Sequence, residues 1–311
     1  MSIALVFPGQ GSQAVGMGKA VAEAFPAARE IFDRVDAALG EPLSRLMFEG
    51  PEAELTRTAN AQPALMAVSL AVLRVLDSEA GFPVTGAAFV AGHSLGEYSA
   101  LAAAGAFEVE TAARLLRLRG EAMQRAVPAG QGAMAALIGV EEEQARAIVV
   151  EAAEGEICDL ANDNGGGQIV VSGTAAAVER AVSIAKARGV KRAVMLQVSA
   201  PFHCRLMAPA ADAMREALAL AEIRTPAVPV VANMLATPIM APNDIRRALV
   251  DQVCGTVRWR ESVRFMADHG VTDFFEVGSG KVLAGLGKRI APEISGRSVG
   301  TPDDIAAFKA R

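Results

Sequence analysis

The sequence predicts an α/β protein in which a parallel sheet is interrupted by a small inserted lobe. Short apolar runs alternate with helical patterns over residues 1–128 and again after Pro201, as in sheets covered by helices on both faces. Between them, residues 129–199 show the order β-α-β-β-α-β, which is that of a ferredoxin-like unit. We therefore expect one core built from residues 1–128 and 200–311 and a ferredoxin-like subdomain at 129–199.

The elements of the core follow from apolar runs and helical periodicity. An apolar run that stops at Pro8 predicts the first strand, Ile3–Phe7. The other predicted core strands are 86–91, Val228–Ala232 and Thr272–Val277. Core helices are predicted at 17–39, 60–79, 95–104, 108–126, Leu206–Leu220, 242–253 and 258–268, with a further helix opening after Gly278.

The insert begins after Pro128-Ala129-Gly130 and ends at Pro201. Its strands are predicted at Ala133–Val140, Ile157–Ala161, Gln168–Ser172 and Val190–Val198. Its helices are predicted at Glu141–Glu154 and at Thr174–Arg188, the second with a threonine that suits an N-cap. The triglycine at 165–167 predicts a turn between the two middle strands.

Bulk composition argues against several classes of protein. Hydrophobic residues make up 52% of the chain, but no uninterrupted apolar run reaches the roughly 18 residues that a membrane helix needs. The stretch Ala64–Leu73 is followed by Arg74 and is expected to be a buried helix. The net charge of −5 gives no support to nucleic-acid binding. Three widely spaced cysteines and the lack of a signal-peptide pattern predict a cytoplasmic protein.

Residues 92–96 read Gly-His-Ser-Leu-Gly, between an apolar run and a helical pattern. A G-x-S-x-G sequence between a strand and a helix is the signature of a nucleophile elbow. The serine sits on a sharp turn whose flanking positions have almost no room for a Cβ, and the following helix N-terminus supplies backbone N–H groups. Ser94 is therefore the candidate nucleophile, and the alternative is a serine in an ordinary glycine-rich turn.

A serine nucleophile needs a base, and the chain has three histidines. His93 lies inside the elbow with its side chain directed away from Ser94, so we expect it to pack. His269 precedes Gly270 at a helix end, where a cation suits the helix dipole. His203 lies where the chain leaves the insert and re-enters the core, and a cleft is expected at such a junction. His203 is the candidate base, and the alternative is a helix-terminal residue without a role.

Arg119 is a candidate for binding an anion. On the predicted helix 108–126 it falls on the apolar stripe made by Ala112, Leu115, Leu116, Ala122, Met123 and Ala126. Because an unpaired guanidinium on a buried face is costly, Arg119 should have a protein carboxylate partner or bind an anionic ligand. Its planar fork suits a carboxylate. The alternative is a side chain that snorkels to the helix edge.

The remaining motifs do not support a phosphate or metal site. The loop Gly9–Ala14 breaks the G-x-G-x-x-G pattern at its last position, and the loop 275–281 lacks the first glycine of a Walker loop. No His, Cys, Asp or Glu cluster has zinc-like spacing, so no metal is predicted. Cys204, next to His203, is an alternative nucleophile.

Taken together, these motifs resemble the malonyl-CoA:acyl-carrier-protein transacylases, the acyltransferases of bacterial fatty-acid synthesis that are related to polyketide synthase domains. The resemblance extends over nearly the whole chain and rests on Phe7–Gln13, the GHSLGEYSA run at 92–100, Arg119, Pro201–His203 and Gln252. It implies an α/β-hydrolase-like core with a ferredoxin-like insert. It also implies a Ser–His dyad in which Ser94 attacks a thioester and His203 is the general base.

The resemblance assigns further residues to the site. The main-chain carbonyl of Gln252 would orient the imidazole, and the backbone N–H groups of Gln10 and Leu95 would form the oxyanion hole. Arg119 would bind the free carboxylate of malonate. The remaining predicted substrate-binding residues are Met123 and Phe202, the latter because it resembles the malonyl-selective pattern.

The implied reaction is a ping-pong transfer of malonyl from malonyl-CoA to Ser94 and then to the phosphopantetheine thiol of acyl carrier protein. No cofactor is expected, because both thioester partners are substrates, and the family suggests a monomer without membrane or nucleic-acid partners. Since carrier proteins are acidic, Lys191-Arg192 and Lys288-Arg289 are candidate docking patches.

Two other functions remain open from the sequence. A serine hydrolase would share the elbow, turn over in water alone and not need Arg119. The usual α/β-hydrolase has an Asp or Glu between Ser and His in chain order, where this chain has mostly the insert. A non-catalytic module that binds carrier protein would not need Ser94.

Overall fold

The computed structural model describes residues 2–309. Its strands are, in chain order, β1 (Ile3–Phe7), β2 (Phe89–Gly92), β3 (Gly132–Ile138), β4 (Cys158–Asp163), β5 (Gln168–Thr174), β6 (Arg192–Met195), β7 (Val230–Val231), β8 (Pro238–Ile239), β9 (Asp273–Val277) and β10 (Ser295–Val299). Its helices are α1 (Lys19–Ala24), α2 (Pro26–Leu39), α3 (Leu43–Glu49), α4 (Glu52–Thr56), α5 (Thr58–Ala80), α6 (Leu95–Ala103), α7 (Val109–Ala126), α8 (Glu142–Ala153), α9 (Ala175–Ala187), α10 (Ala208–Leu220), α11 (Pro242–Gln252), α12 (Trp259–Asp268), α13 (Val282–Ile290) and α14 (Pro302–Lys309).

The larger sheet has the order β10-β9-β1-β2-β7-β8 and is parallel from β10 to β7. Successive residues of β1 enter different cores: Leu5 and Phe7 pack with α5, and Ala4 and Val6 pack with Trp259 of α12. Both faces are therefore covered, which is why the strand reads as an unbroken apolar run. The predicted α/β core with a parallel sheet is confirmed, and the edge strand β8 adds one antiparallel pairing.

The smaller sheet is antiparallel, with the order β4-β5-β3-β6. Helices α8 and α9 supply its own apolar core, which is separate from the two cores of the larger sheet. The element order β3-α8-β4-β5-α9-β6 is that of the predicted ferredoxin-like subdomain. All of these elements lie inside 129–199, and the domain boundaries themselves stay predictions.

Several predicted elements differ from the structure. The pattern at 17–39 forms two helices, because Phe25 adopts an extended conformation (φ −132°, ψ 115°) before Pro26. Proline disfavours the helical conformation at the residue before it, which favours a break at Phe25. The predicted strand Val190–Val198 is shorter, since pairing with β3 ends near Met195 and the chain then turns toward the cavity described below.

Five elements were not predicted from sequence. Helices α3 and α4 are too short to show a helical period, and β8 has two residues. Strand β10 reads Ser-Gly-Arg-Ser-Val, without the apolar character of a strand, because it lies at the sheet edge where one side chain in two faces solvent. Helix α14 packs against β10 and α5.

Helix α5 passes through the centre of the core. By length and composition it could cross a membrane, but 83% of its most apolar 18-residue window is buried inside the protein. It packs against α2, α6 and α7. The prediction that Ala64–Leu73 forms a buried helix is therefore confirmed.

The close approach of α5 and α7 depends on Gly120. A Cβ at this position would lie 2.6 Å from both the Ala59 Cα and the Thr58 carbonyl oxygen, which are backbone atoms that cannot rotate away. We expect Gly120→Ala to lower the free energy of unfolding by about 1–3 kcal/mol, as other overpacked cores do. Urea denaturation followed by circular dichroism measures this change.

Gly285→Ala is the matched control for Gly120→Ala. Gly285 also lies inside a helix, α13, but a Cβ there would meet no atom of the described residues within 4 Å. Alanine in a helix interior is favoured over glycine, so this variant should gain about 0.5–1 kcal/mol. Equal effects of the two variants would contradict the steric interpretation of Gly120.

Candidate active site

The elbow places Ser94 between the end of β2 and the start of α6. Its backbone is left-handed (φ 54°, ψ −110°), a strained conformation that surrounding structure must impose. A Cβ on Gly92 would lie 1.9 Å from the Gly96 carbonyl oxygen, and a Cβ on Gly96 would lie 2.2 Å from the Phe7 carbonyl oxygen. Both glycines are therefore required, for the steric reason that the sequence motif indicates.

His203 meets Ser94 across 109 residues of chain: the distance from Ser94 Oγ to His203 Nε2 is 2.7 Å. His203 Nδ1 lies 2.9 Å from the Gln252 carbonyl oxygen and 3.1 Å from that of Gly255. Because carbonyls only accept, Nδ1 carries the hydrogen, and Nε2 presents its lone pair to the serine hydroxyl. The contacts thus fix the tautomer that a general base needs.

The imidazole of His203 is held in its neutral form. Burial lowers the pKa of His203 to about 3, and the nearby positive charge of Arg119 lowers it further in the same direction. His203 is only 4% exposed. A neutral imidazole at physiological pH is able to accept the proton of Ser94 Oγ.

Arg119 is 1% exposed and points at the nucleophile. Its Nη2 donates to Ser94 Oγ at 3.0 Å and to Gln252 Oε1 at 2.8 Å, and its Nη1 donates to Gln62 Oε1 at 2.8 Å. This burial rules out snorkelling, and none of these hydrogen-bond partners is a carboxylate. The guanidinium is thus oriented by neutral acceptors, and its charge is directed to the place where an acyl group on Ser94 would lie.

A cavity of about 370 Å³ opens at Ser94 and His203, at the junction between the core and the insert. The insert contributes Met134, Leu196 and Val198 to its wall. Five of the predicted substrate-binding residues line it: Gln10, Leu95, Arg119, Met123 and Phe202. Gln252 lies behind Arg119, where it contacts both the guanidinium and, through its carbonyl, His203.

The predicted oxyanion donors lie on adjoining segments. Leu95 is the first residue of α6, so its N–H has no partner within the helix. Gln10 follows β1, and its side-chain Oε1 accepts a hydrogen bond from Thr58 Oγ1 at 2.7 Å. The loop that carries Gln10 lies close to the elbow, since a Cβ on Gly9 would lie 2.8 Å from the His93 carbonyl oxygen.

The other candidates from sequence have different surroundings. His93 lines the same cavity, but its Nε2 lies 2.9 Å from Asn164 Oδ1, and burial lowers the pKa of His93. His269 is exposed and closes α12, with Nδ1 2.7 Å from the Phe265 carbonyl oxygen, so its predicted place at a helix end is confirmed. Cys204 is buried outside the cavity lining, and burial raises the pKa of its thiol, which disfavours a thiolate nucleophile.

Sequence reasoning missed three polar residues that hold the site together. Gln62 orients Arg119, and Asn233 Oδ1 accepts from the Ser94 N–H at 2.7 Å. Glu97 Oε2 accepts from the Gln252 side chain at 2.7 Å. Each is a buried polar side chain in an otherwise apolar stretch, which is the signal that could have found them. Among residues 2–309, no group of three or more His, Cys, Asp or Glu side chains is arranged to hold a metal ion.

Residues 4–290 match the family model described as the acyl transferase domain. The chain belongs to the acyl transferase domain family. The family resemblance inferred from the motifs is therefore confirmed, and this acyltransferase keeps its nucleophile elbow and its insert within the matched region.

Relatives of this acyltransferase match along its whole length. It is 47% identical over 304 residues to the malonyl CoA-acyl carrier protein transacylase of Bacillus subtilis, covering 97% of this chain and 95% of the relative. It superposes on the acyl-carrier-protein-S-malonyltransferase of Bartonella henselae with a TM-score of 0.97 and 55% identity, covering 99% and 98% of the two chains. A malonyl-transacylase in complex with a type II polyketide synthase acyl-carrier protein gives a TM-score of 0.96 and 43% identity, covering 100% and 99%.

Proposed function

We propose that this acyltransferase moves a malonyl group from malonyl-CoA to the phosphopantetheine thiol of acyl carrier protein, through an ester on Ser94. The observation that carries the proposal is the buried guanidinium of Arg119, held 3.0 Å from the nucleophilic oxygen without a hydrogen-bonded carboxylate. A malonyl group on Oγ ends in a carboxylate a few atoms away, within reach of this fork. The names of the relatives described above agree with this substrate.

In the first half-reaction, Ser94 Oγ attacks the thioester carbonyl carbon as its proton passes to His203 Nε2. The backbone N–H groups of Gln10 and Leu95 stabilise the oxyanion of the tetrahedral intermediate. The carbonyls of Gln252 and Gly255 stabilise the transient imidazolium through Nδ1–H. The intermediate collapses to malonyl-Ser94, and the departing CoA sulfur takes the proton from Nε2.

In the second half-reaction the carrier takes the place of coenzyme A. The phosphopantetheine thiol gives its proton to His203 Nε2 and attacks the ester carbonyl carbon of malonyl-Ser94. Collapse of the intermediate breaks the bond to Oγ, which recovers its proton from the imidazolium. Met123 and Phe202 provide apolar walls along the cavity, and they exclude water that would otherwise hydrolyse the ester.

The test is a transfer assay with the purified protein, malonyl-CoA and phosphopantetheinylated acyl carrier protein. We expect the mass of the carrier to increase by one malonyl group, with little free malonate formed. Release of malonate at the same rate with and without the carrier would instead identify a serine hydrolase, and the proposal would fail.

We also propose where the carrier docks. The two basic pairs identified from sequence lie on either side of the triglycine turn at 165–167. On one side of the turn, a Cβ added to Gly166 would lie 3.5 Å from the Cβ of Arg289. On the other side, Gly167 contacts Gly139, and a Cβ added to Gly139 would lie 2.9 Å from the Cβ of Lys191. Asn164, which begins the turn, reaches the cavity through His93. The turn thus brings exposed Lys191 and Arg289 onto one surface, where an acidic partner would be attracted.

The double variant Lys191→Glu, Arg289→Glu should raise the KM for carrier protein about 3- to 10-fold at low salt, because charges at the rim of an interface mainly affect association. Its KM should also depend less on salt than that of the wild type. Arg74→Glu is the matched control: this exposed arginine lies about 18 Å along α5 from Gln62, by the rise of an α-helix. A KM for carrier equal to that of the control would refute this docking site.

A further inference from the structure

Glu97 is a buried carboxylate beside the nucleophile that the proposed reaction does not use. It lies three residues after Ser94 on α6 and is fully buried. Its Oε2 accepts hydrogen bonds from the backbone N–H of Asn233 at 3.0 Å and from Gln252 Nε2 at 2.7 Å. Its Oε1 has no hydrogen-bond partner among the described residues. A buried carboxylate with so few donors needs a nearby positive charge to remain ionised.

The side-chain amide of Gln252 connects Glu97 to that positive charge. Its Oε1 accepts from Arg119 Nη2 at 2.8 Å, and its Nε2 donates to the Ser94 carbonyl oxygen at 3.0 Å as well as to Glu97. A guanidinium only donates and a carbonyl only accepts, so the amide cannot be flipped. One fixed amide therefore stands between a buried cation and a buried anion.

The other ionisable groups around Glu97 do not change its charge balance. Strands β1, β2 and β7, which pack on α6, contain no charged residue. The charged residues of α5 (Arg74, Asp77 and Glu79) are exposed, and those of α7 other than Arg119 (Glu110, Arg114, Arg117, Glu121 and Arg125) are exposed or half-buried. Of the neighbouring ionisable side chains, Tyr98 stays neutral because burial raises its pKa, and His203 stays neutral because burial lowers its pKa. Arg119 is thus the charge that Glu97 balances.

We propose that Glu97 and the carboxylate of a malonyl group share the single charge of Arg119, so that Glu97 takes up a proton when Ser94 is loaded. This inference rests on the proposed malonyl transfer. With malonyl bound, the carboxylates of Glu97 and malonyl would both face one guanidinium in a site shielded from solvent. Because malonyl binding requires an ionised malonyl carboxylate, the repulsion between the two raises the pKa of Glu97. Glu97 is a positioning residue in this scheme, acting through Gln252 and Arg119.

Proton uptake distinguishes this step from the acyl transfer itself. Loading converts a thioester and a hydroxyl into an ester and a thiol, and the serine proton leaves on the thiol of coenzyme A. No net proton is consumed by the chemistry near neutral pH. A proton taken up on loading therefore comes from solvent and goes to the protein.

The expected pH dependence follows from the free enzyme. Burial raises the pKa of Glu97 to about 7, and the hydrogen bonds from Asn233 and Gln252 and the charge of Arg119 limit the rise. A carboxyl is ionised above its pKa, so Glu97 is about 0.9 ionised at pH 8 and about 0.1 ionised at pH 6. Loading raises the pKa of Glu97 further, so that Glu97 becomes protonated. The proton uptake per malonyl-enzyme then approaches the fraction that was ionised before loading, about 0.9 at pH 8 and about 0.1 at pH 6.

The experiment mixes the enzyme with malonyl-CoA in weak buffer at pH 8 and pH 6, and measures proton uptake with an indicator dye. Intact-mass spectrometry gives the amount of malonyl-enzyme. We expect uptake of about 0.9 proton per adduct at pH 8 and about one-tenth of that at pH 6. Acetyl-CoA, which carries no acyl carboxylate, should give no uptake per acetyl-enzyme formed.

Glu97→Gln is the decisive variant. The amide oxygen of the introduced glutamine can accept both hydrogen bonds that Glu97 Oε2 accepts in the wild type. The glutamine cannot take up a proton, so malonyl-enzyme should form without proton uptake at either pH. Unchanged uptake in this variant, or malonyl-enzyme formed by the wild type without uptake at pH 8, would overturn the inference and leave the proposed function intact. If Glu97→Gln does not fold, the wild-type measurements with the two acyl groups decide alone. If the wild type forms no malonyl adduct at all, the proposed function itself fails.

Discussion

Ser94→Ala is expected to form no covalent adduct with malonyl-CoA and to lose roughly 10⁴-fold or more of its transfer rate, because removal of a catalytic serine eliminates the covalent route. The structure supports this expectation by placing Oγ on a strained turn, 2.7 Å from the lone pair of His203 Nε2. Intact-mass spectrometry after incubation with malonyl-CoA measures the adduct, and a carrier assay measures the rate.

Ser99→Ala provides the control for Ser94→Ala. Ser99 lies on the same helix, is buried, and its Oγ has no hydrogen-bond partner among the described residues. Removing this hydroxyl should leave both the adduct and the transfer rate close to those of the wild type. An adduct that persists in Ser94→Ala would mean that another group is the nucleophile, and peptide mapping would then locate it.

Arg119→Ala is expected to lower malonyl loading by about 10²- to 10³-fold, because a substrate carboxylate would be buried without its partner. Acetyl loading, which needs no partner for a carboxylate, should fall less than about 10-fold. Arg119→Lys should recover only part of the malonyl activity, since an ammonium lacks the planar fork that binds a carboxylate in two places. Single-turnover loading from the two acyl-CoA substrates measures both rates.

The control for Arg119→Ala is Arg114→Ala, an exposed arginine on the same helix. The Arg119 variant also leaves Gln62 and Gln252 without a donor, so its unfolding free energy is measured alongside. Equal losses for malonyl and acetyl loading would assign Arg119 a structural role and would remove the main support for malonyl as the substrate.

Some of the site was predictable because its causes are local. The glycines at 92 and 96 flank a turn without room for a Cβ, and the same crowding is found in the structure. Arg119 stands out because a charged residue on an apolar stripe must be explained by a partner or a ligand. These inferences need only sterics and periodicity over a few residues, so they do not depend on how distant segments of the chain fold.

Other local signals were too weak to read. Helices α3 and α4 span seven and five residues, too few for an amphipathic period. Strand β10 carries polar residues because it lies at an edge of the sheet. The break at Phe25 was readable from Pro26, but the continuous helical pattern on both sides of it obscured the boundary.

The sequence by itself determined the elbow and the α/β order with its insert. It also identified Ser94, His203 and Arg119 as the candidate nucleophile, base and anion-binding residue. Only the tertiary structure decided what surrounds them: the guanidinium contacts Gln62, 57 residues away, and Gln252, 133 residues away. It also decided the tautomer of His203 and the link from Arg119 to Glu97. The physical reason is range, because backbone sterics act between neighbours in the chain, whereas hydrogen bonds and buried charges depend on which distant segments the sheet topology brings together.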